Sequence, residues 1–277
     1  MPETLSRLLR SRNAMLGLAI VTFLVGLALL APVLPLRDPV MIDTPVLFTP
    51  PGQDYWLGTD SSGRDVISRL IWGAQISLWV SLLSVSLALA VGSTVGIISG
   101  YVGGLLDDVV MRIVDIFFAF PAILLALALV AALGASAFNV ALAIAIVYAP
   151  IFARVSRAPV LSVKEQEYIE AVRSLGAGHS RIVLRHILPN VLAPIIVQIT
   201  LALSTAILTE AALSFLGLGT QPPAPSWGNM LNEGRRYIEL APWLAIFPGL
   251  AIMLAVLGFN LLGDGLRDVL DPRLQKR

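Results

Sequence analysis

Of 277 residues, 57% are hydrophobic and 13% charged, with a mean hydropathy of +0.83, whereas soluble domains carry about 25% charged residues. That balance excludes a soluble globular chain and points to an all-α, polytopic membrane protein whose solvent is the lipid bilayer. A formal net charge of +1 says little about partners, because in a membrane protein the distribution of charge matters more than its sum; there is no case for nucleic-acid binding, and the absence of cysteine excludes disulfides and thiolate metal sites.

A span needs about 20 apolar residues to cross roughly 30 Å of hydrocarbon. Six stretches qualify, at about 14–35, 76–100, 113–133, 138–158, 191–215 and 241–262. The first follows Arg7, Arg10 and Arg12, is too long for a signal-peptide core and lacks a small-residue cleavage site, so it reads as a retained transmembrane helix. Gly92, Gly96, Gly100 and Gly104 share one face of the second, a spacing that lets two helix backbones approach closely in lipid. Arg112 and Asp115, three apart on a helix, are placed to pair with each other. The third and fourth spans are joined by a short Gly-Ala-Ser turn near Gly134 and form a hairpin.

Of the 19 Lys and Arg, fourteen fall in one set of alternate connections, and five (Arg37, Arg64, Arg69, Arg235 and Arg236) in the other. By the positive-inside rule both termini are cytoplasmic. The predicted order is a cytoplasmic segment 1–13, a first transmembrane helix 14–35, an extracytoplasmic loop 36–75, a transmembrane core 76–262 and a cytoplasmic tail 263–277. The core contains a cytoplasmic loop 162–190 and an extracytoplasmic loop 216–240. Trp56, Trp72, Trp227 and Trp243 lie in or beside the outer loops, where aromatic rings anchor at the headgroups.

Ionisable side chains inside hydrocarbon are costly, so each is a functional candidate. Glu210 is the one acid well within an apolar run, and reads either as a lining or gate residue of a translocation path or as a packing acid bonded to a neighbour. Asp264 reads as interfacial, beside Arg267. No G-x-x-x-x-G-K-[ST], H-E-x-x-H or G-x-S-x-G pattern occurs, so catalytic, cofactor-binding and metal residues are all expected to be absent.

The longest polar interruption in the C-terminal half is SVKEQEYIEAVRSLGAGHSRIVLRHILPN, residues 162–190. Ser162 and Glu165 have capping-box spacing, predicting a short helix to about Leu175. Gly176-Ala177-Gly178 breaks it, and His179-Ser180 restarts a second short helix ending before Pro189. Glu170, Ala171, Gly176, Leu188 and Pro189 in this elbow resemble the EAA loop of bacterial ABC-importer permeases, with Val172 in place of that motif's second Ala and His186 where Ile is usual.

Further blocks resemble the dipeptide and oligopeptide branch of that family: Gly58-Thr59-Asp60 with Gly63-Arg64-Asp65, Ala119-Phe120-Pro121, the run 213–219 with 225–228, and Asp271-Pro272-Arg273-Leu274. The resemblance implies a six-span, type I importer transmembrane fold with cytoplasmic coupling helices, and an ATPase-coupling role for the five elbow residues. It also implies a second homologous permease, two ATP-binding subunits that carry ATP and magnesium, an extracytoplasmic substrate-binding protein, and the cytoplasmic membrane of a bacterium. Dipeptides or oligopeptides are the implied cargo, with nickel complexes, glutathione or another small solute as the alternative. A secondary transporter needs more intramembrane acids or a detectable repeat, and a scaffold protein has no use for the elbow.

The charge asymmetry predicts a labelling pattern. Because the chain has no Cys, single cysteines report topology cleanly: an impermeant thiol reagent applied outside the cell is expected to reach positions 45 and 230 but not 165 or 275, and labelling at 165 would overturn the orientation.

Overall fold

The structure, a computed structural model, describes residues 11–270. Arg7, Arg10, the terminal block 271–274, Lys276, Arg277 and labelling position 275 lie outside the described residues. Helix α1 runs Arg12–Leu30, started by the Ser11 hydroxyl accepting from the Ala14 N–H, and stops short of Pro32. A long segment containing a 3-10 turn, Thr44–Val46, leads to α2, Val66–Val102. The Asp65 carboxylate caps α2 by accepting the Ser68 N–H at 3.1 Å and hydroxyl at 2.5 Å. The helix therefore begins ten residues before the apolar stretch at 76, because Ser68, Arg69 and Gln75 dilute the hydropathy of its first turns without breaking them.

The stretch 113–133 is not one span. It is divided between α3, Gly104–Phe118, and α4, Ala122–Leu133, which meet at 90°. Pro121 lacks the N–H that would continue α3 and biases Phe120 away from helix. At 1.5 Å per residue α4 is about 18 Å long, too short to cross alone. The described residues therefore hold five helices long and apolar enough to cross a membrane singly, or six spans if the bent pair counts as one. The expected hairpin at Gly134 forms, with α5, Ala137–Lys164, started by Ser136 and packed back on α4.

Helix α5 runs straight through Ser162, so the expected capping box does not form; Val160 is fully buried, packed in one cluster with Ile97 of α2, and that packing carries the helix on. The elbow comprises α6, Glu167–Ser174, and α7, His179–Ile182. A π turn, Val183–Ile187, then joins α7 directly to α8, Leu188–Phe215, so the second elbow helix does not end before Pro189. Pro189 falls in the first turn of α8, where its missing N–H is tolerated, and the Asn190 side chain donates to the His186 carbonyl at 2.7 Å. After a loop comes α9, Trp227–Arg235, then α10, Trp243–Leu270, which continues eight residues past the apolar stretch ending at 262.

The scaffold is the seam between α2 and α5, the most extensively packed pair of helices. A Cβ on Gly92 would overlap Ala149, one on Gly96 would overlap Ala153, and one on Gly100 would lie 3.2 Å from Arg157 Cγ. Gly104 lies past the end of α2 with nothing near it, so three of the four spaced glycines form the seam. Around it, α4 and α8 complete one apolar cluster, and α1 and α10 a second with α2 and α8. Asp115 pairs with Arg154 of α5 at 2.7 Å rather than with Arg112. Trp227, expected at the headgroups, is 1% exposed, its indole donating to the Leu70 carbonyl at 3.0 Å. Met230 is also buried, so Ile238, 57% exposed, is the better outer labelling position.

Gly96→Ala forces the α2–α5 backbones apart, an overpacking change that costs about 1–3 kcal/mol. The purified protein is expected to melt several degrees lower, whereas Gly26→Ala, which meets nothing within 4 Å, leaves the melting temperature unchanged.

Candidate functional site

The elbow is built from an apolar inside and a polar outside. Ile169 of α6, Ile182 of α7 and Ile187 of the π turn are fully buried, packed with Ile97, Val160, Val191 and Ile195. At the end of α6 the Ala177 N–H reaches back to the Val172 carbonyl at 3.2 Å, and Gly176 takes φ +83°, the left-handed conformation that closes a helix at low cost for glycine. Leu175 beside it is 88% exposed.

Glu170, Ala171 and Gly176 lie together on this exposed turn, whereas Leu188 and Pro189 stand beyond the π turn at the foot of α8. The motif thus spans the elbow rather than forming one surface patch. Both histidines are engaged with aromatic residues: His179 Nδ1 is 2.8 Å from the Tyr101 hydroxyl at the end of α2, and the His186 ring is tilted 57° to that of Tyr168, centroids 6.4 Å apart. Lys164 Nζ donates to the Gly100 carbonyl at 2.8 Å. The Asp107–Arg157 pair, with hydrogen bonds of 2.6 and 2.5 Å, ties α3 to α5 close by. Tyr101 ties the elbow to the end of α2, Lys164 ties that end to α5, and Arg157 ties α5 to α3. The partners in these three contacts lie 50 to 78 residues apart in the chain and carry no local sequence signal.

At the opposite end of the bundle, Glu210 is 1% exposed on α8, and its Oε1 accepts from the Ser214 hydroxyl at 2.7 Å. The Ser77 and Ser226 hydroxyls face it from α2 and from the start of α9. A cavity of about 700 Å³ opens among α1, α2, α8 and α10, lined by Val25, Leu29, Trp79, Leu203 and Phe259; Glu210 does not line it.

Arg64 and Arg69 form a second buried cluster there, sharing Asp60 and Glu233. Sequence reasoning marked Asp60 and Arg64 within a block of resemblance but missed the cluster. An arginine pair beside an apolar run, Arg64 and Arg69, was the available signal, since buried arginines demand acids.

Residues 92–276 match the family described as binding-protein-dependent transport system inner membrane component, and residues 2–51 match the N-terminal TM domain of oligopeptide transport permease C. The chain is 48% identical to the dipeptide transport system permease protein DppC of Alkalihalophilus pseudofirmus, over 99% of its own length and 90% of that protein. It is 51% identical to the glutathione transport system permease protein GsiD of Pectobacterium atrosepticum, over 81% of its length and 75% of that protein. Its fold resembles an inward-facing structure of the MetNI methionine ABC transporter, with a TM-score of 0.59, 22% identity and coverage of 73% of this chain and 96% of that one. With its spans, its elbow and two family models in register, the chain belongs to the binding-protein-dependent transport system inner membrane components.

Proposed function

We propose that this chain is one of two homologous permease subunits of an ABC importer for dipeptides or oligopeptides, set in the cytoplasmic membrane of a bacterium with both termini in the cytoplasm. Two ATP-binding subunits hold ATP and magnesium and receive the elbows. An extracytoplasmic binding protein delivers substrate to the outer loops. Closure of the ATP-binding subunits moves the paired elbows, and α5 and α8, each continuous with the elbow, carry that movement to the path. The peptide assignment is supported by the likeness to a dipeptide permease along nearly the whole chain.

The observation that carries the coupling role is the elbow itself. Its isoleucines are buried in the permease while Leu175, Glu170 and Gly176 face outward, so it is anchored on one side and free on the other. Exposed leucine at the tip of a rigid turn suits a groove on a partner subunit.

Uptake of a radiolabelled dipeptide by vesicles holding the full complex, with ATP inside and binding protein outside, tests the function. Uptake that ignores ATP or the binding protein would overturn it. The likeness to a glutathione permease favours glutathione as the second reading, and excess glutathione competing away the labelled dipeptide would support it.

Gly176→Val probes the elbow. A Cβ there meets nothing within 4 Å, so the strain lies in the φ of +83°. A β-branched residue loses about 1–2 kcal/mol in that conformation, which lowers the population of the seated elbow roughly 5–30-fold. Membrane insertion is expected to match wild type, while transport and binding-protein-stimulated ATP hydrolysis fall together by that factor. Wild-type transport in this variant would remove the coupling role from the loop.

A further inference from the structure

The outer helix α9 is fastened at both ends by polar groups, fully buried at its start and part-buried near its end. At its start, the Ser226 hydroxyl accepts the Asn229 N–H at 3.2 Å, and the Ser77 hydroxyl of α2 accepts the Trp227 N–H at 3.3 Å. Each oxygen is thus occupied as an acceptor, and its proton is free to donate. Both hydroxyls face the Glu210 carboxyl, whose Oε1 already accepts from Ser214. Ser77, Ser214, Ser226 and Glu210 are all at most 1% exposed, and Glu210 Oε2 has no partner within hydrogen-bond distance.

Near the other end of α9, Glu233 Oε2 accepts from Arg64 Nη2 and from Arg69 Nη2, each at 2.9 Å. Arg64 Nε also holds Asp60 at 2.7 Å, and Arg69 Nε lies 3.4 Å from the same carboxylate. Arg69 is 1% exposed, and its Nη1 is buried without a partner. Two arginines and two acids balance in charge, yet one guanidinium nitrogen remains unsatisfied, as one carboxylate oxygen does at the other end.

An apolar joint resists opening because its surfaces meet water at a cost proportional to area. A buried polar joint with missing partners gains them from water when it parts, and breaks even more nearly between the closed and open forms. Buried charge of this kind specifies a geometry more than it stabilises one. Both clusters hold the same nine-residue helix against α2, one of them also against α8 and the other against the outer loop.

We propose, resting on the importer function above, that Glu210 and Glu233 are positioning residues of an outer latch. They seat α9 across the outer ends of α2 and α8 in the resting state, and this joint parts each time the path opens outward to admit substrate.

A reversible cross-link tests the latch in the complete complex. A Cβ at Gly73 would lie 3.5 Å from Ser226 Cα, within disulfide reach, and the chain has no other cysteine. Because Ser226 belongs to the joint, Gly73→Cys with Ser226→Cys is compared only with its own reduced form: oxidation is expected to stop the transport that the reduced form shows, and reduction to restore it. Equal transport in the oxidised and reduced forms would overturn the latch.

Glu233→Gln and Glu210→Gln give an independent measurement that does not need the cross-link. Each is expected to raise ATP hydrolysis without binding protein about fivefold or more, the low end of coupling between sites, at unchanged recovery of assembled complex, with Glu210→Asp restoring the low rate. Unchanged basal hydrolysis in both variants would overturn the latch. A wild-type complex without binding-protein-stimulated transport would overturn the importer function and the latch together; normal wild-type stimulation with unaffected variants overturns the latch alone.

Discussion

The close approach of α2 and α5 sets the rest of the molecule. In lipid there is no hydrophobic force between helices, and association comes from van der Waals contact between backbones that small residues allow to meet. Gly92, Gly96 and Gly100 meet Ala149, Ala153 and Arg157 at matching four-residue steps. The two helices meet along much of their length as a single rigid unit, and α4, α8 and the elbow all pack on it. Because the match is stepwise, a slide of part of a turn would move glycines off alanines, whereas a slide of one full turn would set Gly96 against Ala149 and Gly100 against Ala153, so contacts beyond the seam fix which turn meets which.

Polar contacts then fasten the rigid unit at its two ends and leave its middle apolar. The elbow end carries Lys164 on the Gly100 carbonyl, Arg157 on Asp107 and Tyr101 on His179. The opposite end carries the Glu210 serines and the pair of arginines. This division follows from the bilayer: charged groups are cheapest where water or headgroups begin, and cross-links made there cost least. Pro150, Pro159, Pro194 and Pro248 all sit inside helices of the bundle, where neighbouring packing replaces the hydrogen bonds that proline removes.

Legibility in the sequence divided along the same line. Five of six apolar stretches became single spans, because hydropathy over about 20 residues is a one-dimensional property of the chain. Gly176 was readable because a glycine between two amphipathic runs has few other uses, and its positive φ agrees. Features that depend on distant partners were not readable. Arg69 meets Glu233 across 164 positions, and without that pairing the first turns of α2 look like loop. Ser162 and Glu165 have the spacing of a cap, but spacing does not reveal that Val160 is already locked into a helix by Ile97. Trp227 looked like a headgroup anchor since nothing local distinguishes an indole bound to lipid from one bound to the Leu70 carbonyl.

One helix joins the two ends. Helix α8 begins as a continuation of the elbow through the π turn and carries Glu210 close to its far end, 22 residues beyond Leu188, or about 33 Å along the axis. The π turn and Pro189 remove regular hydrogen bonds at the elbow side, so α8 has a compliant joint where it meets α7 and a long regular stretch above it. Packing against α5 and α10 allows such a rod to shift or rotate slightly but not to bend freely. A displacement at the foot of such a rod would appear at its far end as a displacement of Glu210 relative to Ser77 and Ser226, where a fraction of an ångström decides whether hydrogen bonds form. The fold thus places a tightly distance-dependent polar contact at the far end of the helix that continues from the elbow.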